Sequence, residues 1–295
     1  MKIIFTLAIA VLLSASASYA AKLDSVNVKS SVMDKAYYSL IILPESYFET
    51  KDRFPVMYLL HGGNGHNREW MVYPSNKMIL YNLADQFNII IALPVGEAFS
   101  YYIDSPVDKD SQFETYITKD VVQKIDNTYR TIRERKGRLI TGLSMGGYGS
   151  LFLATRHPEL FVAAGSMSGA LNPDMKNWKL PPDATRRVKW QFEQILGPVE
   201  QNIAYYNEIS AINLADKMKT SGVKLIIDCG VDDFLIEPNR ELHRKLLFNG
   251  TEHDYIERPG AHRFDYWENA LPYHMLFFSN VLKRNGVSVS PKKRS

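Results

Sequence analysis

The chain has 295 residues, 45% of them hydrophobic, enough to bury the core of one large α/β domain or of two small ones. Its 35 Lys and Arg against 32 Asp and Glu leave a net charge of +3, which excludes the strongly one-signed surface of a nucleic-acid binder. The single cysteine, Cys229, excludes an intrachain disulfide and, lying in an apolar run, reads as a small buried hydrophobe.

Residues 1–20 read as a cleaved export signal. Lys2 precedes an almost wholly apolar run at residues 3–13, and Ser18-Tyr19-Ala20 fits the small-x-small site of a signal peptidase. That run of about eleven residues is too short for a bilayer, which takes about 20, and no cysteine follows the site to carry a lipid. Residues 21–295 are therefore expected as a single exported domain, periplasmic or secreted, with no stable membrane anchor. Lys292, Lys293 and Arg294 read as a solvated tail.

Along the mature chain, strands alternate with helices. Residues 25–29 and 36–43 predict early strands, and 55–60 and 89–93 predict short buried ones. Residues 114–129 carry Tyr116, Ile117, Val121, Val122, Ile125 and Tyr129 at helical spacing. A strand at 138–141 breaks at Gly142, and a helix follows over 145–157, ended by Pro158. Strands at 162–166, 224–229 and 255–257 and helices at 238–248 and 266–282, the last with Pro272 inside it, complete the pattern. Such alternation predicts a mainly parallel sheet covered on both faces. Residues 171–201, with Pro173, Pro181, Pro182 and Pro198, are the least regular stretch and read either as a lid or binding segment or as a surface connection.

The chemistry centres on Gly142-Leu143-Ser144-Met145-Gly146, a G-x-S-x-G sequence between a predicted strand and a predicted helix. In that setting a serine at a tight turn projects its hydroxyl above the sheet, and flanking glycines let neighbouring backbone approach. The competing reading is Ser144 as a simple helix N-cap. A nucleophile there needs two N–H donors for the oxyanion. Met145 supplies one candidate, and the His61-Gly62-Gly63 loop after the strand at 55–60 supplies the other, Gly63 with Gly62 as the alternative. His61 reads as a structural hydrogen-bonder beside the substrate site rather than as a base.

In such a fold the acid and then the histidine follow the serine in the chain. Of the seven histidines, His262 alone lies in a loop after the last predicted strand and before the final helix. The loop after the strand ending at Cys229 offers Asp232 and Asp233. The G-x-x-D spacing from Gly230 selects Asp233, with Asp232 as the fallback.

With these residues in place, the chain resembles the putative-esterase family of α/β-hydrolases, which includes esterase D, S-formylglutathione hydrolases, tributyrin esterases, and the feruloyl and acetyl-xylan esterases of carbohydrate esterase family one. Ser144-Met145-Gly146-Gly147-Tyr148-Gly149, Ser168-Gly169-Ala170 and Gly260-Ala261-His262 carry the resemblance, which runs from about Tyr38 to Phe278. It implies the α/β-hydrolase fold, a serine triad without metal or cofactor, and carboxylic-ester substrates, small or linked to polysaccharide. The export signal points to the polysaccharide-directed branch and to feruloyl or acetyl groups, with Tyr101, Tyr102, Trp178 and Trp190 as rings that stack on the substrate or simply pack. Acyl transfer of the mycolyltransferase type, or a non-catalytic binder on the same fold, are the rival readings.

Overall fold

The computed structural model describes residues 20–289. The expected signal, but for Ala20, and the basic tail lie outside the described residues. One eight-stranded sheet organises the rest. Its strands are β1 (Lys22–Lys29), β2 (Ala36–Leu43), β3 (Val56–Leu60), β4 (Ile90–Leu93), β5 (Arg138–Gly142), β6 (Ala163–Met167), β7 (Lys224–Gly230) and β8 (His253–Arg258). They lie in the order β1-β2-β4-β3-β5-β6-β7-β8. β2 pairs antiparallel with both β1 and β4, and every pairing from β4 through β8 is parallel. This is the mainly parallel sheet expected from the alternating pattern and the α/β-hydrolase architecture that the resemblance implies.

The helices, in chain order, are the short α1 (Ser46–Glu49) and α2 (Glu69–Val72), α3 (Ile79–Phe87), α4 (Phe113–Thr115), α5 (Val122–Thr128), α6 (Met145–Arg156), α7 (Pro182–Leu196), α8 (Val199–Ile209), α9 (Ala215–Ser221), α10 (Ile236–Asn249) and α11 (Phe264–Arg284). They cover both faces of the sheet. Along β3 the side chains alternate: Val56, Tyr58 and Leu60 pack in the core built with α5, α6, α9 and α10, whereas Met57 and Leu59 pack in the core built with α3 and α11. A strand buried on both faces has no polar side, which is why this one reads as an unbroken apolar run.

Two expectations change. The helix predicted over 114–129 is wound as a π-helix at Tyr116–Val121, between α4 and α5. The stretch 171–201 is irregular only up to Pro181: α7 fills about half of it and α8 starts near its end. Three of its four prolines, Pro181, Pro182 and Pro198, stand at helix starts rather than breaking helices. Pro182 sits in the first turn of α7, where its missing N–H has no partner to lose, and Pro198 stands at the N-cap of α8. As expected, α11 runs through Pro272, which lies on its exposed side, where a carbonyl that loses its helical partner can turn to water.

Candidate active site

The ends of β3, β5, β7 and β8 reach the same edge of the sheet because the strands are parallel, and each delivers one part of the site. Directly after β5, Ser144 is held at φ 54°, ψ −116°, a left-handed conformation that costs a non-glycine residue on the order of 1–3 kcal/mol. Its N–H bonds to the carbonyl of Met167 at 2.9 Å. The flanking glycines are sterically required. A Cβ on Gly146 would sit 2.5 Å from the Leu60 carbonyl oxygen and 2.7 Å from that of His61, and one on Gly142 would sit 2.6 Å from the Leu60 oxygen. The elbow therefore presses against the end of β3, bringing the His61-Gly62-Gly63 loop beside Ser144.

The Ser144 side chain makes no capping bond to α6, so the N-cap reading does not hold. Its hydroxyl instead lies 2.9 Å from His262 Nε2. The other ring nitrogen, Nδ1, lies 2.9 Å from Asp233 Oδ2 and 3.1 Å from Oδ1. A carboxylate on Nδ1 keeps the proton there and leaves the Nε2 lone pair facing the serine. The Asp233 carboxylate is 0% exposed, against 19% for the His262 side chain, and Oδ1 also accepts the Leu235 N–H at 2.8 Å. Asp232 is exposed; its N–H is tied to the Gly260 carbonyl at 2.9 Å, while its neighbour faces the imidazole. The His262 ring is held between Phe234, at 4.5 Å between centroids, and Trp267, at 4.8 Å and perpendicular.

The N–H groups of Gly63 and Met145 have no acceptor among the described residues. The first is aimed by its own peptide. The Gly62 carbonyl accepts from the Gly65 N–H at 3.1 Å and from His61 Nδ1 at 2.8 Å, and in a trans peptide the Gly63 N–H points the opposite way. His61 is fixed as the Nδ1–H tautomer because its Nε2 accepts the Gly96 N–H at 2.8 Å. Burial lowers its pKa to about 4, so the ring stays neutral. From the other side, Glu69 accepts the Gly62 N–H at 3.0 Å.

Ser144, His262, Gly63 and Met145 open onto a cavity of about 230 Å³, walled by Tyr101, Trp178, Phe234 and one face of α7. Of the expected ring contacts, Tyr101 and Trp178 line it; Tyr102, Trp190 and His61 do not. Tyr102 is buried behind the loop, donating its hydroxyl to the His61 carbonyl at 3.0 Å. Consecutive left-handed φ values of 52° and 55° at Tyr101 and Tyr102 send the two rings to different places. Trp190 is 59% exposed. Ala184, Arg187, Val188 and Gln191 line the cavity at i, i+3, i+4 and i+7, one face of a helix, and position 190 lies off it. Those α7 residues are the part that sequence reasoning missed, and their spacing was the available signal once Pro182 is read as a helix start. Among the described residues, no group of three or more His, Cys, Asp or Glu side chains is placed to hold a metal ion.

Residues 30–278 match the family model described as Putative esterase. The chain is 26% identical over 266 residues to an acetyl esterase of Caldicellulosiruptor saccharolyticus, covering 87% of this chain and 97% of that protein. It is 35% identical over 208 residues to the diacylglycerol acyltransferase/mycolyltransferase Ag85B of Mycolicibacterium smegmatis, covering 61% of this chain and 63% of that one. A solved ferulic acid esterase superposes with a TM-score of 0.73 at 25% identity, over 90% of this chain and 99% of the other.

Proposed function

The chain belongs to the putative-esterase family and is an esterase; from that premise we propose that it cleaves carboxylic esters through an acyl-enzyme on Ser144. The observation that carries this is the 2.9 Å contact between Ser144 Oγ and His262 Nε2, continued at 2.9 Å to Asp233. As Ser144 Oγ attacks the ester carbonyl, its proton passes to His262 Nε2. Asp233 holds the ring in the tautomer that can accept it and stabilises the imidazolium. The carbonyl oxygen gains the negative charge, which the Gly63 and Met145 N–H groups receive. On collapse of the intermediate the alcohol leaves with the His262 proton. Water, deprotonated by the same nitrogen, then releases the acid and restores the serine.

The cavity, at about 230 Å³, is smaller than the roughly 300–1,000 Å³ that encloses a drug-sized ligand, which favours a small acyl group. The export signal read in residues 1–20 and the kinship with an acetyl esterase support short acyl esters of an extracellular polysaccharide as the natural substrate. Turnover of p-nitrophenyl acetate and release of acetate from acetylated xylan, each compared with Ser144→Ala, test it. Activity in the wild type lost by at least three orders of magnitude in the variant is expected; a variant as active as the wild type would remove Ser144 from the reaction. The 35% identity to a mycolyltransferase supports a second reading, transfer of the acyl group to an alcohol. Product analysis with a competing sugar decides between the two.

A further inference from the structure

The face of α7 turned to the cavity carries one charge. Arg187 is the only Lys, Arg, Asp or Glu side chain lining the cavity. Its neighbours on the same helix are paired, Arg186 with Asp183, and Lys189 with Glu193 and Glu200. Lys179, just before the helix, is paired with Glu237. Arg187 has no carboxylate partner among the described residues. The nearest helical neighbour on its face toward the C-terminus, Gln191, reaches Asn64 at 3.3 Å, so two amides lie on the same wall. No carboxylate lines the space to repel an anion: Asp233 is 0% exposed behind His262, and Glu69 is buried behind the Gly62 peptide.

We infer that Arg187 is a specificity-determining residue that selects esters bearing a carboxylate close to the scissile bond. The inference rests on the acyl-enzyme reading of Ser144 and narrows its substrate class. A guanidinium keeps its charge at every working pH and pairs with a carboxylate through two parallel hydrogen bonds. Arg187 is itself exposed, so the attraction acts partly through water and is open to screening by salt. The carboxylate belongs either to the acyl part, as in a monoester of a dicarboxylic acid, or to the alcohol part, as in an acylated hydroxy acid or uronate.

Two matched pairs of esters separate these sources. In the acyl arm, mono-p-nitrophenyl glutarate is compared with its primary amide; in the alcohol arm, para-acetoxybenzoate with para-acetoxybenzamide. The wild type is expected to favour the carboxylate member of one pair by about tenfold in kcat/KM, mostly through KM. Arg187→Gln brings that ratio to about one, while Arg187→Lys keeps part of it. Raising salt from about 20 mM to about 500 mM shrinks the wild-type ratio as the charge is screened. No preference in either arm, or a preference that survives Arg187→Gln, overturns the inference. Failure of the acyl-enzyme reading looks different: neutral esters are then also left intact, or are cleaved equally by Ser144→Ala.

Discussion

Glu69 accepts the N–H of Gly62 at 3.0 Å, one peptide before the Gly63 N–H that faces the cavity. The carboxyl sits on α2, 3% exposed, and burial pushes its pKa up to about 7 against the opposing pull of the Gly62 hydrogen bond. Around it lie the neutral His61 and the Tyr102 hydroxyl, whose own pKa Glu69 helps to raise, with His66 one turn before it in the loop. In the proposed mechanism this carboxyl would act on the Gly63 oxyanion donor through the backbone, as a positioning residue.

Replacing Glu69 separates that positioning from its ionisation. Glu69→Ala frees the Gly62 peptide, and kcat on p-nitrophenyl acetate should fall about tenfold with little change in KM, short of the 10²–10³ lost with an oxyanion donor itself. Glu69→Gln keeps an acceptor and should retain most of the rate. The stability sign follows from the raised pKa. Between about 4.5 and about 7 the folded state holds a proton that the unfolded state has released, so this group's contribution falls as pH rises, by up to about 3 kcal/mol. Glu69→Gln should thus gain stability on the wild type at pH near 8 relative to pH near 5. Urea unfolding at the two pH values checks it, and parallel curves would rule the ionisation out.

Asp233 and Asp232 differ by one residue and should differ widely in effect. Asp233→Asn leaves a side chain that can donate to Nδ1, which favours the tautomer whose proton sits on Nε2, where the serine needs a lone pair. A fall in kcat of about 10⁴ is the expected scale. Asp232→Asn leaves the 2.9 Å backbone bond to Gly260 in place and should stay within about twofold, as exposed substitutions usually do. Steady-state kinetics on one ester for both variants settles which aspartate serves the ring.

The sheet is legible in the sequence because its central strands are short apolar runs stopped by Gly or Pro, as at 55–60 and 138–142. The convergence of Ser144, His262 and an aspartate after Gly230 is legible because a parallel sheet delivers all its strand ends to one edge. The choice between Asp232 and Asp233 is less so, since it depends on which of two adjacent carboxylates the turn rotates inward. Helix rotation is readable only after the helix itself has been found, which for α7 takes reading Pro182 as its start. Trp190 is a ring on the right helix but the wrong face, and Arg187, a residue type usually left to solvent, is on the right one. α3 goes unread although Ile79, Leu80, Leu83 and Ala84 are buried at helical spacing along it.

Gly146→Ala tests how tightly the elbow is pressed on β3. The added methyl meets two carbonyl oxygens, of Leu60 at 2.5 Å and of His61 at 2.7 Å. These are backbone atoms that cannot rotate away. Overpacking of this kind costs about 1–3 kcal/mol or more, and the displaced group is the loop that bears Gly63. Both the unfolding midpoint in urea and kcat should fall. A variant with wild-type values for both would mean that the elbow and β3 have more room than these distances give.

His274 should make the protein acid-sensitive independently of the site. Its ring on α11 is 0% exposed, with Nδ1 2.9 Å from Thr141 Oγ1 and no partner on Nε2. Burial, reinforced by Arg258, lowers its pKa to about 3. An unfolded histidine takes a proton near 6.5, so between about 6.5 and about 3 the unfolded state binds one proton more than the folded state. The stability present above 6.5 is then lost as pH falls, with a limiting slope of about 1.4 kcal/mol per pH unit. His61, lowered to about 4, adds to that slope, while Glu69 opposes it between about 4.5 and 7. The difference between wild type and His274→Gln therefore isolates the single group. Urea unfolding from pH 7 to pH 4 should show the variant losing stability less steeply, whatever its starting value. Equal slopes would mean that the ring already carries a proton in the fold, a result incompatible with its unpartnered Nε2.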